Sequence, residues 1–271
     1  MDLTVLVENF CTHAYLAGEY GMSFFLNDDK GNILIDTGQG HTLFSNASVL
    51  DIDLLQADHL VLSHGHYDHV GGASRFLTDK GEIPLWAHPE ILSLHSRLVE
   101  GEGHFIGCHL NTETVDFRPV TGLTSITENV WAVEVPTDRR DPDFIPTPSR
   151  LVVPTEKDQW KPDPFPDDIS LVVKGEHGLS VILGCSHAGI VNILEEVARH
   201  FKTRDFHAVI GGMHLLEGSS ELIDKIVTTL VSRFQVSLWR PCHCTGFNAA
   251  ATLAEKASDV TWAHVGTRLN L

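Results

Sequence analysis

His64-Gly65-His66-Tyr67-Asp68-His69 places three imidazoles and a carboxylate within six residues. Crowding those groups is costly unless something binds them. Imidazole nitrogens and carboxylate oxygens are the donors that a divalent cation such as zinc takes, at bonds of about 2.0–2.2 Å. One cation takes about four or five donors, so further histidines elsewhere in the chain leave room for two cations. His187 and His243 qualify by position, because each follows an apolar run (Val181-Ile182-Leu183 and Leu238-Trp239) where a strand would end. Ligands must converge from several elements, and strand ends at one sheet edge achieve that. His214, after Ile210-Gly211-Gly212-Met213, is read as a residue that supports a ligand or touches substrate.

Hydrophobic spacing gives the elements that must carry these groups. Residues 3–7 alternate as a strand, and runs at 23–26 and 33–35 flank a hairpin turn at Asn27-Asp28-Asp29-Lys30-Gly31. Residues 41–50 have helical spacing. Leu60-Val61-Leu62 is a short buried-strand run leading directly into the His-rich segment, and 73–77 begin a helix. Further on, a second hairpin is expected at 169–173 and 179–183, then a helix at 190–200. Two strand–helix units follow, at 208–210 with 220–231 and at 236–239 with 247–256, and a last strand at 260–263 ends the fold. Strands lead and helices follow in both halves, which predicts two sheets packed face to face with helices outside. Asp36-Thr37-Gly38 is read as a hydrogen-bonding support for the metal loop. Strand alternation points Cys242 and Cys244 away from His243, as structural thiols.

Eight of the 12 prolines lie between Pro136 and Pro166. Such a stretch is expected to carry neither a helix nor a central strand. A loop of this length is usually a lid, a binding loop or a linker. A lid over the site is the expectation, with a partner contact or a solvated insertion as alternatives. Its aromatics Phe144, Trp160 and Phe165 suit either stacking on a ring or anchoring the loop.

The chain has 271 residues, 19 basic and 36 acidic side chains and a net charge of −17. That balance argues against nucleic acid, whose phosphates need clustered Lys and Arg. A small anionic substrate, including a phosphorylated one, stays compatible if cations hold it. No apolar run approaches the roughly 20 residues of a membrane span, and an acid at residue 2 does not suit a signal peptide. A cytoplasmic protein of one domain, 1–271, without membrane partner, is expected. Five cysteines, with no C-x-x-C pair, fit neither a disulfide framework nor a four-thiolate zinc site.

The His64–His69 segment resembles the signature of the metallo-β-lactamase superfamily. The resemblance extends through Leu6-Val7-Glu8-Asn9, Gly21-Met22-Ser23-Phe24, Ile35-Asp36-Thr37-Gly38-Gln39, Gly184-Cys185-Ser186-His187-Ala188-Gly189-Ile190, Gly211-Gly212-Met213-His214-Leu215 and His243-Cys244-Thr245-Gly246. These segments look like the branch of the dihydropterin-methyl ribofuranosylaminobenzene phosphate synthases. The resemblance implies an α/β fold, a four-layer αβ/βα sandwich with two mixed sheets, and a cleft for two divalent metals, zinc first and manganese or iron compatible. It also implies His64 and His66 on the first metal, with Asp68, His69 and His243 on the second. Many members carry a Gly-Asp where Gly184-Cys185 stands here, so either His187 or a Cys185 thiolate completes the set. A histidine normally found before that strand is missing, and Asp168 stands near its place.

A divalent cation lowers the pKa of bound water from about 15.7 to about 7. The first expectation is therefore a metal-dependent hydrolase of a small anionic ester, phosphodiester or lactone. Asp68 would orient the attacking hydroxide, and His214 would stabilise developing charge. The alternative is a transferase joining a dihydropterin-methyl group to a ribofuranosylaminobenzene phosphate-like acceptor. A third is a non-enzymatic metal-bearing sensor.

Overall fold

The computed structural model describes residues 1–146, 150–156 and 159–271. One sheet has seven strands in the order Arg268–Asn270, Asp2–Val7, Ser23–Asn27, Ile33–Ile35, His59–Val61, Pro84–Ala87, Asp116–Pro119. The second has six, in the order Gln235–Cys242, Asp205–Gly212, Gly178–Ile182, Ile169–Gly175, Val130–Glu134, Leu123–Ser125. Side chains alternate across a strand, so Leu3, Val5, Phe24, Leu26 and Ile33 face one way and Leu6, Phe25 and Leu34 the other. The first set shares a buried cluster with Val130, Ala132, Leu171, Ala208 and Ile210 of the second sheet. The outer face of the first sheet packs on the helices Leu43–Val49 and Ala73–Lys80. The outer face of the second packs on Ile190–Phe201, Ser220–Arg233 and Phe247–Lys256. Burial on both faces is why these strands read as continuous apolar runs, and the result is the four-layer αβ/βα sandwich.

Both expected hairpins form, with Phe24 opposite Ile35 and Val172 opposite Val181. Two expectations need correction. Residues 260–263 make a single bridge, Val260 to Trp239, rather than a strand. The last strand is Arg268–Asn270, which pairs with Asp2–Thr4 and brings the chain ends together. Its half-exposed, polar sequence carries little hydrophobic signal.

The proline-rich window is also not one loop. It holds two short 3₁₀ turns, Thr137–Arg139 and Pro142–Phe144, and two strands, Leu151–Pro154 and Trp160–Pro162. Leu151–Pro154 has neighbours on both sides, Trp160–Pro162 and Ser96–Val99, in a small four-stranded sheet completed by Glu102–Phe105. Pro154 and Pro162 stand at the last positions of their strands, and Trp160–Pro162 is an edge strand, where a missing N–H is tolerated. Among the described residues no helix is long and apolar enough to cross a membrane.

Candidate metal centre

The strands Asp2–Val7, Ile33–Ile35 and His59–Val61 run in one direction, as do Gly178–Ile182, Asp205–Gly212 and Gln235–Cys242 within the second sheet. Their C-terminal ends deliver Asn9, Asp36, His64, Cys185, His214 and His243 to one place. Asp36, Ser186, His214 and His243 each leave their strand with a left-handed backbone, at φ of 54°, 61°, 52° and 50°. Non-glycine residues seldom adopt that region, and it concentrates at functional sites. Gly184 is confined here, because a Cβ would sit 2.5 Å from the Ser63 hydroxyl oxygen.

All six residues expected to ligate converge: His64, His66, Asp68, His69, His187 and His243, none more than 6% exposed. One half of the centre is made of imidazoles. The His64, His66 and His187 rings lie 4.7–4.9 Å apart, centroid to centroid, and His64 Nε2 is 3.1 Å from His66 Nδ1. In the other half, His243 Nε2 lies 3.3 Å from His69 Nε2 and 3.4 Å from Asp68 Oδ2. Cys185 joins both halves. Its Sγ is 3.2 Å from His69 Nε2, and donor atoms of His64, Cys185 and His187, and of His69, Cys185 and His243, each fall within 4.8 Å of one another.

Hydrogen bonds behind these rings assign their tautomers. Ser63 donates its hydroxyl to Asp36 Oδ2 at 2.7 Å, so His64 Nδ1 donates to Ser63 Oγ at 2.9 Å. His69 Nδ1 donates to Asp36 Oδ2 at 2.7 Å, and His243 Nδ1 to Asn9 Oδ1 at 2.9 Å. In all three rings Nε2 is left facing inward, the arrangement that oriented metal ligands use. His66 Nε2 and both nitrogens of His187 are buried without a partner among the described residues. Buried polar atoms are rarely left so. Unmet imidazole nitrogens beside a thiol and a carboxylate therefore fit a divalent cation.

Charge separates the two halves. Burial and the neighbouring imidazoles push His64 and His187 far below the ordinary histidine range, and His66 to about 3. Burial also opposes charge on His69, yet Asp36 and Asp68 raise its pKa to about 9. Asp68 is held well below the usual carboxylate range, burial being outweighed by His69 and His243. Burial, with Cys244 beside it, pushes the Cys185 thiol well up.

Other readings divide. Asp36 and Thr37 do support the metal loop, Thr37 Oγ1 donating to the His69 carbonyl at 3.0 Å. Asp168 Oδ2 accepts from Ala188 N at 2.8 Å, and its Oδ1 is buried without a partner among the described residues. Cys242 points into the core against Met22, as strand alternation requires. Cys244 does not follow that alternation, because the strand ends at Cys242 and a 3₁₀ turn spans His243–Thr245. Its donor atom groups with those of Cys185 and His214 instead. His214 packs 4.3 Å from His187, and its Nδ1 is buried without a partner among the described residues.

A network with no signal in the sequence lies behind the imidazole half. His95 is fully buried between Asp163 (Nδ1 to Oδ2, 2.6 Å) and Asp167 (Nε2 to Oδ2, 3.1 Å). Burial opposes its charge, but those two bonds raise its pKa to about 10. Asp167 also accepts from Gly65 N at 2.7 Å and so grips the metal loop. Phe165, between the two aspartates, stacks on His187 with centroids 3.8 Å apart and planes 7° from parallel.

Residues 16–201 match the family model described as the metallo-beta-lactamase superfamily. The chain belongs to that superfamily. It is 28% identical over 253 residues to the 7,8-dihydropterin-6-methyl-4-(beta-D-ribofuranosyl)-aminobenzene-5'-phosphate synthase of Methanocaldococcus jannaschii, covering 88% of this chain and 85% of the relative. An uncharacterized protein of the same organism is 28% identical over 277 residues, covering 97% and 98%. Among solved structures, Tm1679, described as a metal-dependent hydrolase of the beta-lactamase superfamily, is 29% identical with a TM-score of 0.83, covering 100% of this chain and 99% of that one.

Proposed function

We propose that the protein is a metal-dependent transferase joining a dihydropterin-methyl group to a ribofuranosylaminobenzene phosphate-like acceptor. The observation that carries this reading is the likeness to the M. jannaschii synthase along 88% of the chain. Divalent ions held by His64, His66 and His187 on one side and Asp68, His69 and His243 on the other, with Cys185 between, would supply positive charge to an anionic leaving group.

The chain's own residues prepare the rest of the site. Phe165 covers one face of His187 and keeps water from it. His214 lines a cavity of about 300 Å³ with Tyr20, Leu216 and Cys244. Its unpartnered Nδ1 is placed to hold a proton against an oxygen of bound substrate. Arg150 lines the same cavity and suits an acidic substituent there, while Arg97, also in the lining, is paired with Glu217 at 3.7 Å.

Hydrolysis of a small anionic ester, phosphodiester or lactone is the second reading, favoured by the likeness to Tm1679. The test incubates the protein, as purified, with a dihydropterin-methyl diphosphate and a ribofuranosylaminobenzene phosphate, and analyses products by mass spectrometry. A coupled product that needs both substrates supports transfer. Water-cleaved donor without coupling, together with turnover of simple esters or lactones, overturns it in favour of hydrolysis.

A further inference from the structure

Beside the imidazole half lies a second cavity, of about 250 Å³, whose lining includes Thr137, Arg140, Leu151, Phe165, His187 and the carboxylate of Asp163, which is paired with His95. It is smaller than the roughly 300–1,000 Å³ of a site for a whole drug-sized ligand, so it suits one group of a substrate. Leu151 lines this cavity and the one beside His214. The two are therefore neighbouring compartments, and each also has a wall near the metal centre.

Arg140 gives this compartment its chemistry. Its Nε donates to the Val135 carbonyl and its Nη1 to the Pro164 carbonyl, both at 2.8 Å. Two backbone acceptors fix the plane of the guanidinium. Its Nη2 is buried and has no partner among the described residues. Asp168, Glu134 and Asp167 favour the charge of the guanidinium, and Asp167 Oδ1 and Asp168 Oδ1 are buried without a partner among the described residues, but no carboxylate bonds it directly. Asp163 bonds His95 and Phe165 N, Asp167 bonds His95 and Gly65 N, and Asp168 Oδ2 accepts from Ala188 N. No ion pair to Arg140 exists among the described residues. A half-buried guanidinium held rigid, with no ion pair and one donor short, is an arrangement that recognises phosphoryl oxygens.

We propose that Arg140 and its cavity form a phosphoryl-binding subsite next to His187, which holds an anionic group of the substrate against the metal centre. The subsite stands on its own geometry. Only the identity of the phosphoryl group, the diphosphate of the donor or the 5'-phosphate of the acceptor, rests on the transferase reading.

The test is calorimetric titration of the protein as purified with inorganic pyrophosphate and, separately, with ribose 5-phosphate. Metal content is measured before and after each titration. Arg140→Gln is expected to weaken binding of one of the two by roughly 10- to 100-fold with metal content unchanged. Loss confined to pyrophosphate assigns the donor's diphosphate, and loss confined to ribose 5-phosphate assigns the acceptor. Because Arg140 also ties two carbonyls, Thr137→Glu serves as a second variant. It adds a negative charge at an exposed rim position and is expected to weaken the same ligand several-fold without lowering thermal stability. Unchanged affinity in both variants, or no binding by the wild type, would overturn the subsite and leave Arg140 Nη2 to an ordered water shared with Asp168. If the variants weaken binding while no coupled product ever forms, the subsite stands and the transferase reading fails.

Discussion

The two halves of the metal centre are built from the same residue type and treated in opposite ways. Around His64, His66 and His187 no carboxylate bonds the rings among the described residues, and burial with mutual repulsion outweighs Asp68 and Asp167 near His66 and keeps all three neutral. Around His69 and His243, Asp68 stands within the donor set and Asp36 behind it, so the charge of a cation is met directly. The imidazole half meets charge at one remove, through Asp36 by way of the Ser63 hydroxyl, and through Asp167 on Gly65 N and the His95–Asp163–Asp167 cluster behind it. A fixed arrangement of neutral donors costs less to keep empty than a cluster of carboxylates. It also contributes less attraction to a cation, which makes the shared Cys185 thiol the donor that couples the halves.

The largest effect is expected when both halves are broken together. His64→Ala with His243→Ala should remove most bound metal, read by elemental analysis, with the circular dichroism spectrum unchanged. Two equivalents retained would refute the donor assignment.

Breaking the support of the imidazole half alone should show in stability. His95→Gln leaves Asp163 and Asp167 buried without their partner, a loss of about 3–5 kcal/mol, read by denaturant unfolding. The folded pKa of His95, about 10, lies above its ordinary 6.5. Its contribution is therefore complete below pH 6.5 and is lost as pH rises through about 10. The penalty of the substitution should shrink over that interval, and a penalty independent of pH would contradict a charged His95.

Removing the support of the other half should be milder and more selective. Asp36→Asn takes the negative charge from behind His69, and metal affinity in that half should fall roughly 10–100-fold. The first equivalent lost on dialysis should then come from the carboxylate half. The smallest effect sharpens the contrast through protons. At pH 7 His69 and the Cys185 thiol are protonated, whereas His64, His66 and His187 are not. Metal loading should release about two protons per chain, and about one in Cys185→Ser, as read by calorimetry in buffers of different ionisation enthalpy.

The difference between the halves also marks what could be read in the sequence. The segment from His64 to His69 is local and ends a buried strand, so its convergence was legible, as were His187 and His243 at strand ends and Asp36 beneath them. Alternation fails for Cys244 because the strand ends two residues before it, and His243 in the intervening turn has a left-handed backbone. The His95 cluster joins residues 68 and 72 positions apart and leaves no periodic or compositional trace. The proline-rich window reads as one loop because proline weakens strand signals in general. Its strands are short, end on proline and pair with the equally short Ser96–Val99.

Cobalt substitution of the metal-depleted protein tests the shared Cys185 thiolate most directly. With Cys185 as a donor, the two-equivalent cobalt form should show an intense thiolate-to-cobalt charge-transfer band that Cys185→Ser abolishes and Cys244→Ser leaves in place. A band that survives Cys185→Ser, or two cobalt ions bound with no such band, would contradict it.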